Sequence, residues 1–119
     1  MRIGKGQKVV HVGLEEYERV YDDLLRQTRP GLKGLVLMTP FFVEPDRREA
    51  MRARMDQYGD AVRRLAARHD AVCVGLQAAF DRMLAHLHPM SLAWDRVHPN
   101  QAGHMVIARA FLAAVGFAW

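Results

Sequence analysis

The residues best suited to chemistry in this chain stand close together: Asp95 and His98, three positions apart, with Pro99 directly behind the histidine. A carboxylate and an imidazole at that spacing can meet within one turn, without help from elsewhere in the fold. In acyl transfer the carboxylate accepts the imidazole Nδ1–H, which fixes the tautomer and steadies the imidazolium, while Nε2 takes a proton from a nucleophile. Pro99 has a fixed φ and biases His98 away from helical backbone, so the ring belongs on an extended loop. Asn100 carries a side-chain oxygen suited to cap a helix that begins near Gln101. The same residues also fit a plain polar loop ending in a capped helix, and spacing alone does not decide between the two.

The other reactive groups add little. Ser91 is the only serine, and neither a strand-to-helix turn with small neighbours nor a glycine-rich oxyanion segment surrounds it. Cys73 is a single cysteine between Val72 and Val74, which excludes an internal disulfide and reads as a buried structural thiol. His86, His88, His98 and His104 offer imidazoles to a metal, but no cysteine or carboxylate cluster completes a recognisable ligand set. Neither a metal ligand nor a cofactor is assigned.

The elements that must position Asp95 and His98 follow from periodicity. Gln7 to Val12 is a candidate short strand. Leu14 to about Gln27 predicts a helix, with Leu14, Tyr17, Tyr21, Leu24 and Leu25 along one side and glutamates in its first turn. Leu35–Met38 and Ala71–Val74 are apolar without alternation, as in parallel strands buried on both faces. Between them Asp46 to Arg68 predicts a long helix whose buried stripe is Met51, Met55, Tyr58, Val62, Leu65 and Ala66. Phe41, Phe42 and Val43 lie in a loop, where they either cover the sheet's end or line a substrate pocket. A third helix runs from Leu76 to about His86. A last one runs from Gln101 to about Val115 and packs Met105, Val106, Ala108, Phe111 and Leu112. Strands alternating with helices make the fold class α/β, a parallel sheet with flanking helices.

The stretch Trp94-Asp95-Arg96-Val97-His98-Pro99-Asn100-Gln101-Ala102-Gly103-His104 resembles the last conserved block of the SGNH hydrolases, also called GDSL esterases. Leu35 to Pro45 is similar to the strand and loop before that family's long penultimate helix. Met51-Arg52 to Tyr58 and Gln77 to Asp81 look like a bacterial branch of it. The resemblance covers nearly the whole chain from about Leu14. It implies a flavodoxin-like SGNH hydrolase fold, hydrolysis of a carboxylic ester, His98 as base and then acid, and Asp95 as its orienting partner. An acetyl group on a carbohydrate or a short acyl chain is the implied substrate. The departures are equally specific. The family's nucleophile lies in a Gly-Asp-Ser-type block, and its oxyanion hole takes a glycine and an asparagine from two further blocks. None of these blocks is present, and the only asparagine is Asn100. Gly75 stands where relatives commonly carry an aspartate. The chain thus looks like the C-terminal half of an SGNH hydrolase, a single partial domain over residues 1–119 with base and acid but no nucleophile. It is expected to be inactive alone and to need the N-terminal half or self-association; the alternative is a non-catalytic association module of the same fold.

Composition excludes several other classes. Half of the 119 residues are hydrophobic and a quarter charged, which is ordinary globular usage. The net charge of +4 comes with fourteen arginines, but those between Arg47 and Arg68 alternate with Asp46, Glu49, Asp56 and Asp60. That is a solvated, ion-paired helix face rather than a nucleic-acid surface, which would interleave aromatics as stacking platforms. No apolar run reaches the length of a membrane span. No signal peptide is visible, so the reading is a soluble, cytoplasmic chain if the N-terminus is as given, and a secreted one if a leader precedes it.

Overall fold

The computed structural model describes residues 12–117. Helix α1 (Leu14–Thr28) carries Glu15 and Glu16 in its first turn, where carboxylates meet the positive end of the helix dipole. A 3-10 turn over Arg29–Gly31, with Pro30 inside it, ends the helix. β1 (Val36–Met38), α2 (Ala50–Arg68) and β2 (Val72–Val74) then form a strand–helix–strand unit. The strands are parallel, with Val36 opposite Val72, Leu37 opposite Cys73 and Met38 opposite Val74. α3 (Leu76–Leu84) follows β2 after Gly75 alone, and α4 (Gln101–Ala114) comes after a long loop containing a 3-10 turn, Pro89–Ser91.

Two apolar clusters hold these elements. In the first, Leu25, Leu37, Val62, Leu65 and Ala66 pack α1 and α2 on the sheet, with Tyr17, Tyr21 and Cys73 at its margin. In the second, Val43, Phe80, Leu92 and Ala93 pack the loop after β1 and the loop before α4 against α3, with Val106 and Ile107 of α4. Fully burying side chains such as Leu65 and Phe80 contributes roughly 1.5–3 kcal/mol each. Phe41 stacks on Phe80 with ring centroids 4.6 Å apart, so Phe41 and Val43 serve as core.

Only one side of β1 is paired among the described residues. Leu35 C=O accepts from Val72 N–H at 2.9 Å, and Thr39 N–H donates to Val74 C=O at 3.0 Å. Alternate residues of a parallel strand serve one neighbour, so Val36 and Met38 turn their backbone groups to the opposite edge, where no described strand lies.

The structure corrects several expectations. α2 begins at Ala50, not Asp46, because the Glu49 carboxylate caps it, accepting from Met51 N–H at 3.1 Å and Arg52 N–H at 2.8 Å. Met51 is not core but 46% exposed, and Met55 is half-buried beside a polar cavity. In their place the helix buries Arg52. In α1, Leu24 faces solvent and Leu25 the core. α4 turns Gly103, Val106, Ile107 and Ala110 inward, leaving Met105, Ala108 and Phe111 exposed and Leu112 half-buried. The expected strand at Gln7–Val12 lies outside the described residues except for Val12, whose carbonyl accepts from the Tyr58 hydroxyl. α2 ends with Asp70 at φ +52, a left-handed position that Asp tolerates, and Ala71 N–H closes back on Ala66 C=O at 2.8 Å. Among the described residues no helix is long and apolar enough to cross a membrane.

Candidate active site

The loop before α4 is clamped at its neck. Asn100 N–H donates to Leu92 C=O at 2.8 Å, Ala93 bridges Pro99 in antiparallel fashion, and Asn100 Nδ2 reaches Ser91 C=O at 3.1 Å. Asn100 Oδ1 accepts from Gly103 N–H at 2.9 Å, the cap expected for α4. A Cβ on Gly103 would stand 2.4 Å from Leu92 O and 2.7 Å from Pro99 Cβ. Only glycine permits α4 to approach the neck so closely.

Asp95 organises the loop inside that neck. Its Oδ1 accepts from Val97 N–H at 3.0 Å and from His98 N–H at 2.7 Å. Its Oδ2 lies 2.5 Å from His98 Nδ1. The backbone N–H of His98, then its ring, then the N–H of Val97 hold the Asp95 carboxyl far below its ordinary range. An ionised Asp95 makes Nδ1 the protonated nitrogen of a neutral imidazole, so Nε2 keeps its lone pair. No hydrogen bond occupies Nε2 among the described residues, and the His98 side chain is 84% exposed. Trp94, Pro99, Ala102 and Met105 line an open apolar groove beside it.

A second group of residues fixes the loop after β1, and sequence reasoning missed its centre. The Arg52 side chain is 2% exposed. Its guanidinium grips Asp81 with two bonds of 2.9 and 2.8 Å, Asp56 at 2.9 Å and the Glu44 carbonyl at 2.7 Å. Bidentate geometry of this kind is the strong form of an arginine–carboxylate pair. Gln77 brackets Phe42, accepting from its N–H at 2.8 Å and donating to its C=O at 3.0 Å. These groups border a polar cavity of about 270 Å³ past the carboxyl end of β1. A signal for Arg52 was present: Gly59 and Ala66, seven and fourteen residues on, share its helix face and are buried.

Other candidates are placed apart. Ser91 sits exposed in a 3-10 turn, and no hydrogen bond joins its hydroxyl to His98. His88 caps that turn, Nδ1 accepting from Met90 N–H at 3.1 Å. His104 is exposed on α4. No group of three or more metal-ligating side chains occurs among the described residues. Burial pushes the half-buried Cys73 thiol up, which disfavours the thiolate. A second His–Asp pair, also missed, joins α2 to α1: His69 Nε2 lies 2.6 Å from Asp22 Oδ1, with Arg26 and Arg68 on the same carboxylate.

A parallel α/β sheet with flanking helices is the fold of the SGNH esterases. The GDSL-like Lipase/Acylhydrolase family matches residues 3–106, and the chain belongs to that family. An acetylxylan esterase of Geobacillus stearothermophilus is 49% identical over 112 residues, 94% of this chain and 51% of that protein. The solved structure of LAE5, an α/β hydrolase enzyme from the metagenome of Lake Arreo, Spain, is 60% identical with a TM-score of 0.87, covering 89% of this chain and 49% of that one. Axe2, an acetylxylan esterase from Geobacillus stearothermophilus, is 50% identical with a TM-score of 0.89, covering 92% and 50%. Catalytic mutants of Axe2 that replace a serine, an aspartate or a histidine by alanine match equally well. The chain spans about half the length of these relatives.

Proposed function

We propose that this chain is the acid–base segment of a serine esterase that removes acetyl groups from a carbohydrate of the xylan type. His98 is base and then acid, and Asp95 orients it. The observation that carries the reading is the placement of His98: Nδ1 is held at 2.5 Å by a carboxylate that two backbone N–H groups anchor, while Nε2 meets no partner among the described residues. Likeness to acetylxylan esterases supports the substrate class, and the catalytic aspartate and histidine of Axe2 are likewise three residues apart. In the reaction a serine Oγ attacks the acetyl carbonyl as its proton passes to His98 Nε2. The imidazolium, stabilised by Asp95, passes that proton to the sugar oxygen as its bond to the acetyl carbon breaks, so the sugar leaves as the free hydroxyl. Water then attacks the acetyl-serine with His98 again as base, releasing acetate and restoring the serine.

The serine and the oxyanion donors come from residues outside these 119. Ser91 is unconnected to His98, so the chain by itself hydrolyses no p-nitrophenyl acetate beyond what a surface histidine gives, and a fluorophosphonate probe labels nothing. Stoichiometric labelling of Ser91 would overturn this part of the reading. The unpaired edge of β1 and the bare face of α4 are the surfaces that a complementing segment covers. The alternative, a non-catalytic module of the same fold, is favoured by the position of Ser91 and is separated from the first reading by supplying the segment that holds the serine.

A further inference from the structure

Arg96, between Asp95 and Val97, has φ +66. A long side chain is uncommon in that left-handed region, where glycine sits without strain. The twist has a consequence: it brings the N–H groups of Val97 and His98 together onto Asp95 Oδ1, at 3.0 and 2.7 Å. Relaxing Arg96 to negative φ would turn those donors away, and the carboxylate would lose the anchor that points its other oxygen at His98.

Two contacts from outside the loop oppose that relaxation. Arg96 C=O accepts from Val43 N–H at 2.9 Å, and the guanidinium Nη1 meets Glu44 Oε1 at 2.7 Å. Glu44 is itself immobilised: its other oxygen accepts from Asp46 N–H at 3.0 Å, and its carbonyl accepts from buried Arg52 at 2.7 Å. Val43 is fully buried. We propose that Glu44 and Arg96 are positioning residues for the Asp95–His98 pair, their ion pair holding Arg96 in the left-handed conformation that locks the carboxylate and selects the Nδ1–H tautomer of His98. This rests on reading Asp95 and His98 as the acid–base pair, but the brace itself involves no nucleophile.

The test is the tautomer of neutral His98, read from its two imidazole ¹⁵N shifts by long-range correlation spectroscopy on the 119-residue chain above the imidazole titration. His69, whose Nε2 faces Asp22, reports in the same spectrum whether the fold is intact. With the native sequence His98 is mainly Nδ1–H. Glu44→Ala shifts it to mainly Nε2–H, the form free imidazole favours, while Arg96→Gly keeps Nδ1–H because glycine needs no brace. The decisive variant is the double one, Glu44→Ala with Arg96→Gly, which restores Nδ1–H. Should Glu44→Ala disturb His69 too, Glu44→Gln, of the same shape without the charge, carries the same expectations. An unchanged His98 tautomer in the Glu44 variant, or a double variant that fails to restore it, overturns the proposal. Hydrolysis plays no part in this readout, so the brace and the esterase reading fail separately.

Discussion

Two histidine–aspartate pairs of nearly equal length occur among the described residues, and they are built in opposite ways. At Asp22–His69 the aspartate meets Nε2 at 2.6 Å, and the two side chains are 10% and 14% exposed for histidine and aspartate respectively. Arginines 26 and 68 share the same carboxylate. The outer ring nitrogen is consumed, and the contact ties α1 to the end of α2. The His69 contact first, then Arg68 and Arg26, hold Asp22 below its ordinary range. At Asp95–His98 the aspartate takes Nδ1 instead and leaves Nε2 to solvent. On the proposed reading, chemistry depends on which nitrogen is occupied and on what holds the carboxylate, not on the presence of an imidazole beside an acid.

That contrast can be broken in order of expected effect. In an assembly supplied with the serine-bearing segment of a relative, His98→Ala should cost roughly six orders of magnitude in kcat and Asp95→Ala roughly four, by analogy with a hydrolase triad. His69→Ala and His104→Ala should leave kcat within a few-fold, although His69→Ala lowers the unfolding midpoint. Steady-state rates with a chromogenic acetate ester measure this, and a loss at His69 matching that at His98 would erase the distinction between the pairs. Next comes the buried arginine. Asp81→Ala leaves Arg52 without its bidentate partner and should destabilise the chain by about 3 kcal/mol in urea unfolding. A change under about 0.5 kcal/mol would place that residue with ordinary surface positions.

Gly103→Ala should cost about 1–3 kcal/mol by overpacking, since the new methyl collides with the Leu92 carbonyl and Pro99. Its displacement falls on the neck of the Asp95–His98 loop and not on Asp22–His69, which backbone chemical shifts would map. The smallest effect concerns pH. The Asp95 carboxyl sits below its ordinary value of 3.8, so its bonds contribute in full above that value and are lost as the pH falls through the folded one; loop stability rises with pH across the window. Hydrogen-exchange protection of the Val97 and His98 amides should therefore hold down to about pH 4 and fade below it. Protection that vanished nearer neutrality would contradict the double anchor.

The Asp95–His98 contact was legible in the sequence because it is local. Asp95, His98 and the Asn100 cap lie within six residues, and short-range geometry places them almost unaided. The parallel strands were legible for a similar reason, as short apolar runs. The rest depends on partners far along the chain. Arg52 reads as one more arginine on a charged helix until Asp81 and the Glu44 carbonyl are known to lie against it. His69 finds Asp22 forty-seven residues away. α4 is apolar on more than one side, so periodicity cannot choose the face carrying Val106 and Ile107 over that carrying Met105 and Phe111. The brace at Arg96 was hidden for another reason: a backbone angle of +66° at an arginine has no signature in residue type.

The most direct test of the central claim combines this chain with the serine-bearing segment of an acetylxylan esterase relative and follows acetate release from acetylated xylo-oligosaccharides. The account predicts release from the mixture, none from either part alone, and loss of nearly all of it in His98→Ala while His69→Ala retains it. Release that survives His98→Ala, or release by the chain alone, would contradict the account.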